Sequence, residues 1–573
     1  MTAVALSPGA RADALDALGS GELDVLVIGG GVVGAGCALD AATRGLSVGL
    51  VEARDLAAGT SSRSSKLIHG GLRYLEMLDF RLVTEALRER GLLVTRLAPH
   101  LVRPVPFLYP LRHRVWERAY AGAGVTLYDA LGPLAGQARG LPHHRHLTRR
   151  GARRLAPSLR KDALVGALQY YDAQVDDARY TLFLARTAAA YGARVATRAR
   201  VVGLLREGGR VTGAELVDLE SGRTVRARAR VVINATGVWT DETQALAGER
   251  GRIRVRPSKG VHLVVPRDRI VSDTGLILRT EKSVLFVIPW NRHWIIGTTD
   301  TDWTLHKAHP AASASDIDYL LSHVNEVLTE PLSRDDVVGV YAGLRPLLSG
   351  VSADTTKLAR EHAVVTPMPG LVVVAGGKYT TYRVMARDAV QAAVHELGHF
   401  SRAEVPPSCT EDVPLLGADG FAAVRNRSAA LAARSGLHPA RIERLLGRYG
   451  SLIDEPLAMV AADPSLGRPL AGAPDYLRVE IVYAATHEGA RHLDDVLTRR
   501  TRISIETFHR GLDACEEAAD LLAPVLGWTP AQRAREVQHY RARVAAERES
   551  QRMPDDTTAD AARMAAPDEV PVA

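Results

Sequence analysis

The spacing of apolar positions along the chain predicts two kinds of β-structure and then a block of helices. The run from Asp24 to Ile28 is short, apolar and of buried-strand type, and glycines and a helical pattern follow it at once. Strand, glycine turn and helix predict a βαβ unit. Two later runs, Val231 to Gly237 and Leu371 to Gly377, are apolar and stop at small residues, as later strands of a nucleotide-binding domain do beneath a cofactor. One domain is therefore expected to be entered three times. Between those visits, Val261 to Pro266 and Ser283 to Gly297 read as strands of a second, antiparallel sheet, with a hairpin turn at Asn291, Arg292 and His293. After Val405, Pro406 and Pro407 helical spacing takes over, with Ile442, Leu445, Leu446 and Tyr449 at i, i+3, i+4 and i+7. There is no internal repeat of solenoid length.

The expected fold is α/β: a discontinuous Rossmann-like dinucleotide domain, an antiparallel β-sheet substrate domain and a C-terminal all-α domain. Residues 1–20 read as a flexible tail and 21–400 as the oxidoreductase body. Within it the dinucleotide parts are roughly 21–95, 160–257 and 345–400, and the substrate parts roughly 96–159 and 258–344. Residues 405–548 form the helical domain, and 549–573, with Pro, Asp and Ala but no periodicity, read as a second flexible tail.

Length supports this division, because 573 residues exceed what one core can serve. Composition, 46% apolar and 24% charged, is that of a globular protein. Three scattered cysteines, Cys37, Cys409 and Cys515, exclude a disulfide framework or a zinc site and suit a reducing cytoplasm. No run approaches the ~18 apolar residues of a membrane-spanning helix. The net charge of +7 is compatible with nucleic acid, an anionic membrane, a phosphorylated substrate or Arg-rich composition alone.

The first chemical signal is Gly29-Gly30-Gly31-Val32-Val33-Gly34, which matches G-x-G-x-x-G between strand and helix. Gly29 permits the tight turn, Gly31 lets the backbone approach a pyrophosphate and Gly34 allows close helix packing, while the helix N-terminus offers N–H groups to the anion. Glu52, 18 positions beyond Gly34 at the end of the next strand, is placed to accept hydrogen bonds from ribose hydroxyls. No second such motif and no C-x-x-C follow, so one bound FAD is favoured over paired FAD and NAD sites. Thr60 to Glu76 then packs hydroxyls, glycines and cations into seventeen residues, a loop able to cradle an isoalloxazine or a phosphate.

These stretches, with Tyr170 to Arg179, Asn234 to Trp239, Lys259 to Val265, Phe286 to Asp300, Leu332 to Pro346, Gly376 to Arg383 and Asp494 to Thr501, resemble the bacterial aerobic glycerol-3-phosphate dehydrogenases, flavoproteins of the D-amino-acid-oxidase-like superfamily. The resemblance implies a substrate pocket at Arg73, Tyr74, His262, Arg345 and Lys378. It implies oxidation of sn-glycerol 3-phosphate to dihydroxyacetone phosphate by hydride transfer to flavin N5. Arg345, then Arg73, suit a phosphate dianion, which asks for a planar guanidinium. His262 is a candidate base, and Lys378 a candidate for stabilising charge on the substrate oxygen or for the flavin pyrimidine end; the two roles are exchangeable. Cofactor contacts are expected at Gly29, Gly31, Gly34, Glu52, Thr60, Ser61, Ser62, Ser65, Lys66, His69 and Gly70. Ala235, Thr236, Gly237, Gly376, Gly377, Lys378 and Thr380 complete that set. Thr298, Thr299 and Asp300 match the family without an assignable chemistry.

The family also implies reoxidation by membrane quinone and docking, from the cytoplasm, on the inner face of the cell membrane. The surface expected to dock is Arg112 to Tyr120, where Trp116 and Tyr120 share a helical face, continued by the cation-rich stretch Arg139 to Arg154. His143, His144 and His146 in that stretch read as a solvated loop rather than a metal site. A homodimer is a candidate assembly. The alternatives are an oxidase that uses oxygen, or a 2-hydroxy-acid or amino-acid dehydrogenase on the same fold. No nucleic-acid partner is expected, since the basic stretch lacks interleaved aromatics.

Overall fold

The computed structural model describes residues 4–71, 80–113, 115–134, 141–248, 253–281, 284–349, 361–398 and 404–568. Arg73 and Tyr74, and the start of the basic stretch at 139–140, lie outside the described residues.

Glu22–Ile28 is buried on both faces and lies centrally in an eight-stranded sheet. The order runs His362–Met368, Leu371–Gly376, Thr224–Asn234, Glu22–Ile28, Val48–Val51, Arg194–Ala196. Parallel register sets Ile28 beside Asn234 and Val51, and Asn234 beside Val373, so the expected three entries into one domain end at a common edge. In sheets of this kind ligands bind beyond the carboxyl ends of the strands. The helix Val32–Thr43 packs on this sheet through small residues; a Cβ on Gly36 would come within 2.9 Å of the Tyr382 ring.

The second sheet has ten strands, antiparallel except where Gly275–Arg279 runs parallel to Val102–Leu111. The hairpin turns at Asn291, as expected, between Val284–Trp290 and His293–Gly297. Gly166–Val175 also belongs here, although the expected division placed it in the dinucleotide part. It pairs along its whole length with Val102–Leu111, and the dinucleotide domain resumes only at the helix Asp177–Ala190.

Both expected tails are structured over their described residues, 4–20 and 549–568. Pro8–Ser20 is a helix capped by Ser7, with Leu15 and Leu18 buried and Arg11 paired to Asp218. At the other end the helix Pro530–Ser550 runs past the expected boundary, and Asp556–Arg563 forms a further helix with Ala559 fully buried. Each of these helices buries only three side chains, Ala14, Leu15 and Leu18 in Pro8–Ser20 and Ala559, Asp560 and Arg563 in Asp556–Arg563, and Asp556 is fixed by an ion pair to Lys259, so neither shows as an apolar period. The helical region bears out the spacing of Ile442, Leu445, Leu446 and Tyr449, all buried in Pro439–Tyr449, and includes one small hairpin, Pro469–Leu470 with Ala473–Leu477.

This region is bolted to the body by buried charge. Arg499 and Arg500 both meet Asp55, Arg198 meets Asp495, Arg179 meets Glu488, and Arg502 meets Asp176 and Asp177. His492 bridges Glu536 of the helical region (2.7 Å) and Glu220 of the body (3.0 Å). Burial and Arg198 pull its pKa down, but the two carboxylates outweigh them and push it up to about 9. A group whose pKa is raised on folding stabilises fully below its unfolded value of 6.5, and the contribution is lost as pH rises through the folded value. We therefore expect His492→Gln to cost on the order of 3 kcal/mol at pH 6. The gap in melting temperature to the parent should close between pH 6.5 and about 9. A gap that stays constant over that range would refute the bridge.

Candidate active site

A cavity of about 630 Å³ opens at the common strand edge, between the two sheets. The glycine loop forms one wall. Gly29 sits at φ +112°, and a Cβ there would lie 2.7 Å from the Ala235 carbonyl oxygen; a Cβ on Gly34 would lie 1.8 Å from the Gly29 oxygen. Only glycine permits both approaches. The Glu52 carboxylate accepts from the Gly30 N–H (2.7 Å) and the Arg54 N–H (2.8 Å). Burial raises its pKa, and the two amides work against that. On the facing loop Asn234 accepts from the Thr236 hydroxyl (2.7 Å) and donates to the Thr240 carbonyl (3.2 Å), which fixes the turn into Gly237 at φ +60°. A helix N-terminus, a glycine cradle that a Cβ would fill and an oriented carboxylate suit a dinucleotide, and the cavity is of cofactor size.

The other end is floored by the second sheet. His262 pairs with Tyr341 in register and stacks on its ring at 4.7 Å; Ser258 pairs with Arg345. Gly260 and Gly343 face each other between these pairs. The Arg345 side chain bends back over the gap, for a Cβ on Gly260 would lie 2.7 Å from its Nη2. Its guanidinium donates to Asp300 (3.2 Å), Ser258 (3.4 Å), the Thr298 hydroxyl (3.2 Å) and the Thr299 carbonyl (3.1 Å). His262 Nε2 lies 2.8 Å from Ser65 Oγ. Burial, then Arg345 and Lys66, holds the imidazole well below its usual range, so it is neutral at pH 7. Lys378 enters the cavity wall after Gly376 and Gly377, both at positive φ. Thr380 exchanges hydrogen bonds with the His69 backbone (3.1 and 3.2 Å), joining that loop to the one from Thr60.

Known proteins share both the sequence and this arrangement. Residues 24–390 match the family model described as FAD dependent oxidoreductase, and 408–533 match the C-terminal domain of alpha-glycerophosphate oxidase. Glycerol-3-phosphate dehydrogenase 2 of Mycobacterium tuberculosis is 62% identical over 566 residues, which is 99% of this chain and 95% of that one. The chain belongs to the FAD-dependent glycerol-3-phosphate dehydrogenases. The human mitochondrial glycerol-3-phosphate dehydrogenase is 37% identical, over 91% of this chain and 73% of its own. The structure of the glycerol-3-phosphate dehydrogenase from Bacillus halodurans, complexed with FAD, superposes with a TM-score of 0.75 at 28% identity, covering 94% of this chain and 98% of that one.

For a member of this family the sequence reading of the site is largely coherent. Gly29, Gly31, Glu52, Thr60, Ser61, Ser65, His69, Ala235, Thr236, Gly237, Gly376, Gly377, Lys378 and Thr380 line one cavity with His262 and Arg345. Four expected contacts lie behind the wall. Gly34 packs the helix start against Gly29. Lys66 is fully buried and donates to Asp177 (2.9 Å) and the Ser62 carbonyl (3.1 Å); a lysine amid hydroxyls in sequence reads as a ligand group, but here a buried carboxylate claims it. The Ser62 hydroxyl turns to the Gly59 carbonyl, and the Gly70 N–H donates to the Tyr128 hydroxyl. Arg54 and Trp239 line the cavity unforeseen, and Asp300 holds Arg345. Only the match at Thr298 to Asp300 hinted at the last. Because two amides orient the Glu52 carboxylate in the cavity wall, Glu52→Ala is expected to weaken FAD at least tenfold, on the scale of one charge-assisted hydrogen bond. Titration of apoprotein by flavin fluorescence checks this, and an unchanged affinity would exclude the carboxylate from the cofactor site.

Proposed function

We propose that this enzyme oxidises sn-glycerol 3-phosphate to dihydroxyacetone phosphate and passes its electrons to membrane quinone. The carrying observation is the placement of the Arg345 guanidinium over Gly260, two residues along the strand from His262. That offset is about 7 Å. It suits a substrate whose phosphate rests on the guanidinium while its secondary hydroxyl reaches the imidazole.

Arg345 binds and orients the phosphate, and Asp300 with Thr298 holds its plane. His262, neutral and against Ser65, takes the hydroxyl proton at Nε2. Lys378 stabilises negative charge as it develops on that oxygen. When bound, FAD supplies the hydride acceptor at flavin N5. Anaerobic bleaching of the flavin by glycerol 3-phosphate tests the assignment. Arg345→Ala should raise the half-saturating concentration at least tenfold, and His262→Ala should slow bleaching at saturation by 10² or more with FAD still bound. Parent protein that carries FAD yet does not bleach would sink the substrate. Peroxide formation outpacing reduction of a quinone analogue would replace the dehydrogenase by an oxidase.

A peripheral membrane position is supported by the helix Trp116–Leu134, whose outer face exposes Trp116 (57%), Tyr120 (54%) and Leu127 (37%), with Val115 and Arg112 beside them. Aromatic and basic side chains on one amphipathic face suit an interface of anionic lipid headgroups. No helix among the described residues is long and apolar enough to cross a membrane. Replacing Arg112, Trp116 and Tyr120 by Ala should lower co-sedimentation with phosphatidylglycerol vesicles severalfold; unchanged co-sedimentation would remove this face from the reading.

A further inference from the structure

The segment from Gln551 to Asp568 has no place in the chemistry above, yet it runs along the outer wall of the cofactor cavity. Its helix, Asp556–Arg563, buries Ala559 in an apolar cluster with Val238, Trp303 and Leu344. Val238 and Leu344 also line the cavity, so the segment forms the layer directly behind that wall. Three acidic side chains tie it down. Asp556 pairs with Lys259, which precedes Gly260 on the strand of His262. Asp560 lies 2.7 Å from His306. Asp568 receives Arg54 Nε at 2.7 Å on one oxygen and faces His309 Nε2 at 2.9 Å with the other.

Arg54 is the residue that joins the two structures. Its backbone N–H orients the Glu52 carboxylate, and its guanidinium lies 5.5 Å from the Trp239 ring centroid, while Arg54 and Trp239 both line the cavity. Asp568 therefore fixes the plane of a guanidinium at the end of the cavity where Glu52 would take the ribose. The contact to His309 works without charge on the ring. Arg563 lies 3.2 Å from His309 Nδ1, and a guanidinium can only donate, so the ring proton sits on Nε2 toward Asp568. Behind Arg54, Asp568 lines a small cavity together with Arg63, Arg499 and Arg543, of which the last two are paired to Asp494.

We propose that residues 551–568 are a strap that closes the adenosine end of the cofactor cavity, with the Asp568–Arg54 ion pair as its catch. Strap docking and FAD binding then strengthen each other, because whatever binds one arrangement of Arg54 must be favoured by whatever else holds it. The strap retains the cofactor and touches no reacting atom.

Hydrogen exchange of the full chain, with and without FAD, tests the coupling on unmodified protein: residues 556–568 are expected to exchange more slowly in the loaded form. FAD release after dilution is expected to be about tenfold faster in Asp568→Asn, and Asp568→Glu should recover most of the difference. A merely structural role would lower the melting temperature of apoprotein and holoprotein alike, whereas the strap predicts a larger loss in the holoprotein than in the apoprotein. Equal exchange in the two forms would overturn the proposal. So would a folded Asp568→Asn protein that releases FAD within twofold of the parent rate.

Discussion

Asp177 is the carboxylate on which the cavity wall depends. It sits fully buried in the first turn of the helix Asp177–Ala190, where free N–H groups favour a negative charge. One oxygen takes Lys66 and Arg502, the other takes the Ser64 N–H and hydroxyl, and its backbone carbonyl takes the Tyr379 hydroxyl. The loop from Thr60 and the loop carrying Lys378 are thus referred to one residue. Arg502 also donates to the Ser62 carbonyl, so the helical region reaches through to the back of the loop. Removing one member of such a group leaves a buried charge uncompensated, at a cost of roughly 3–5 kcal/mol.

This gives the helical region a function that needs no chemistry of its own. Its arginines stand behind the cofactor loop, and its last described helix lies against the outer wall of the same cavity. The dense pairing has a consequence for the active site: cations that would otherwise face the cavity are claimed elsewhere. Lys66 is held by Asp177 and Lys259 by Asp316 and Asp556. The wall keeps Arg345 and Lys378 near the neutral His262. On the proposed function, the substrate phosphate then meets a guanidinium whose position is set by the sheet and by Asp300.

What was legible along the chain is what local geometry enforces. A G-x-G-x-x-G turn needs glycine at fixed offsets because the backbone passes within contact distance of Ala235, and strands buried on two faces must be apolar throughout. The three entries into the dinucleotide domain, the hairpin at Asn291 and the helical region follow from such constraints, whereas the site residues beyond the glycine turn and Glu52 rest chiefly on the family resemblance. The ends of the chain escape such a reading because their helices bury only a few side chains each, two of them charged in Asp556–Arg563, and so few leave no period. Gly166–Val175 was assigned to the wrong sheet because an edge between domains is set by which partner strand is near in space.

The glycine motif with its flanking strand and helix was enough for the cofactor class, and the apolar periods for the order of the layers, since each answers to a requirement within a few positions. Packing in three dimensions settled which cations face the cavity and which act as bolts. Lys66 and Arg345 both read from the sequence as cations of the site, one after Ser64 and Ser65 in a loop and the other between Leu344 and Pro346 in a strand. A buried carboxylate 111 positions away takes Lys66 out of the cavity, while Asp300, 45 positions away and reached across the sheet, holds Arg345 in its wall. The field at a buried site is the sum over such distant partners, and no local pattern records it.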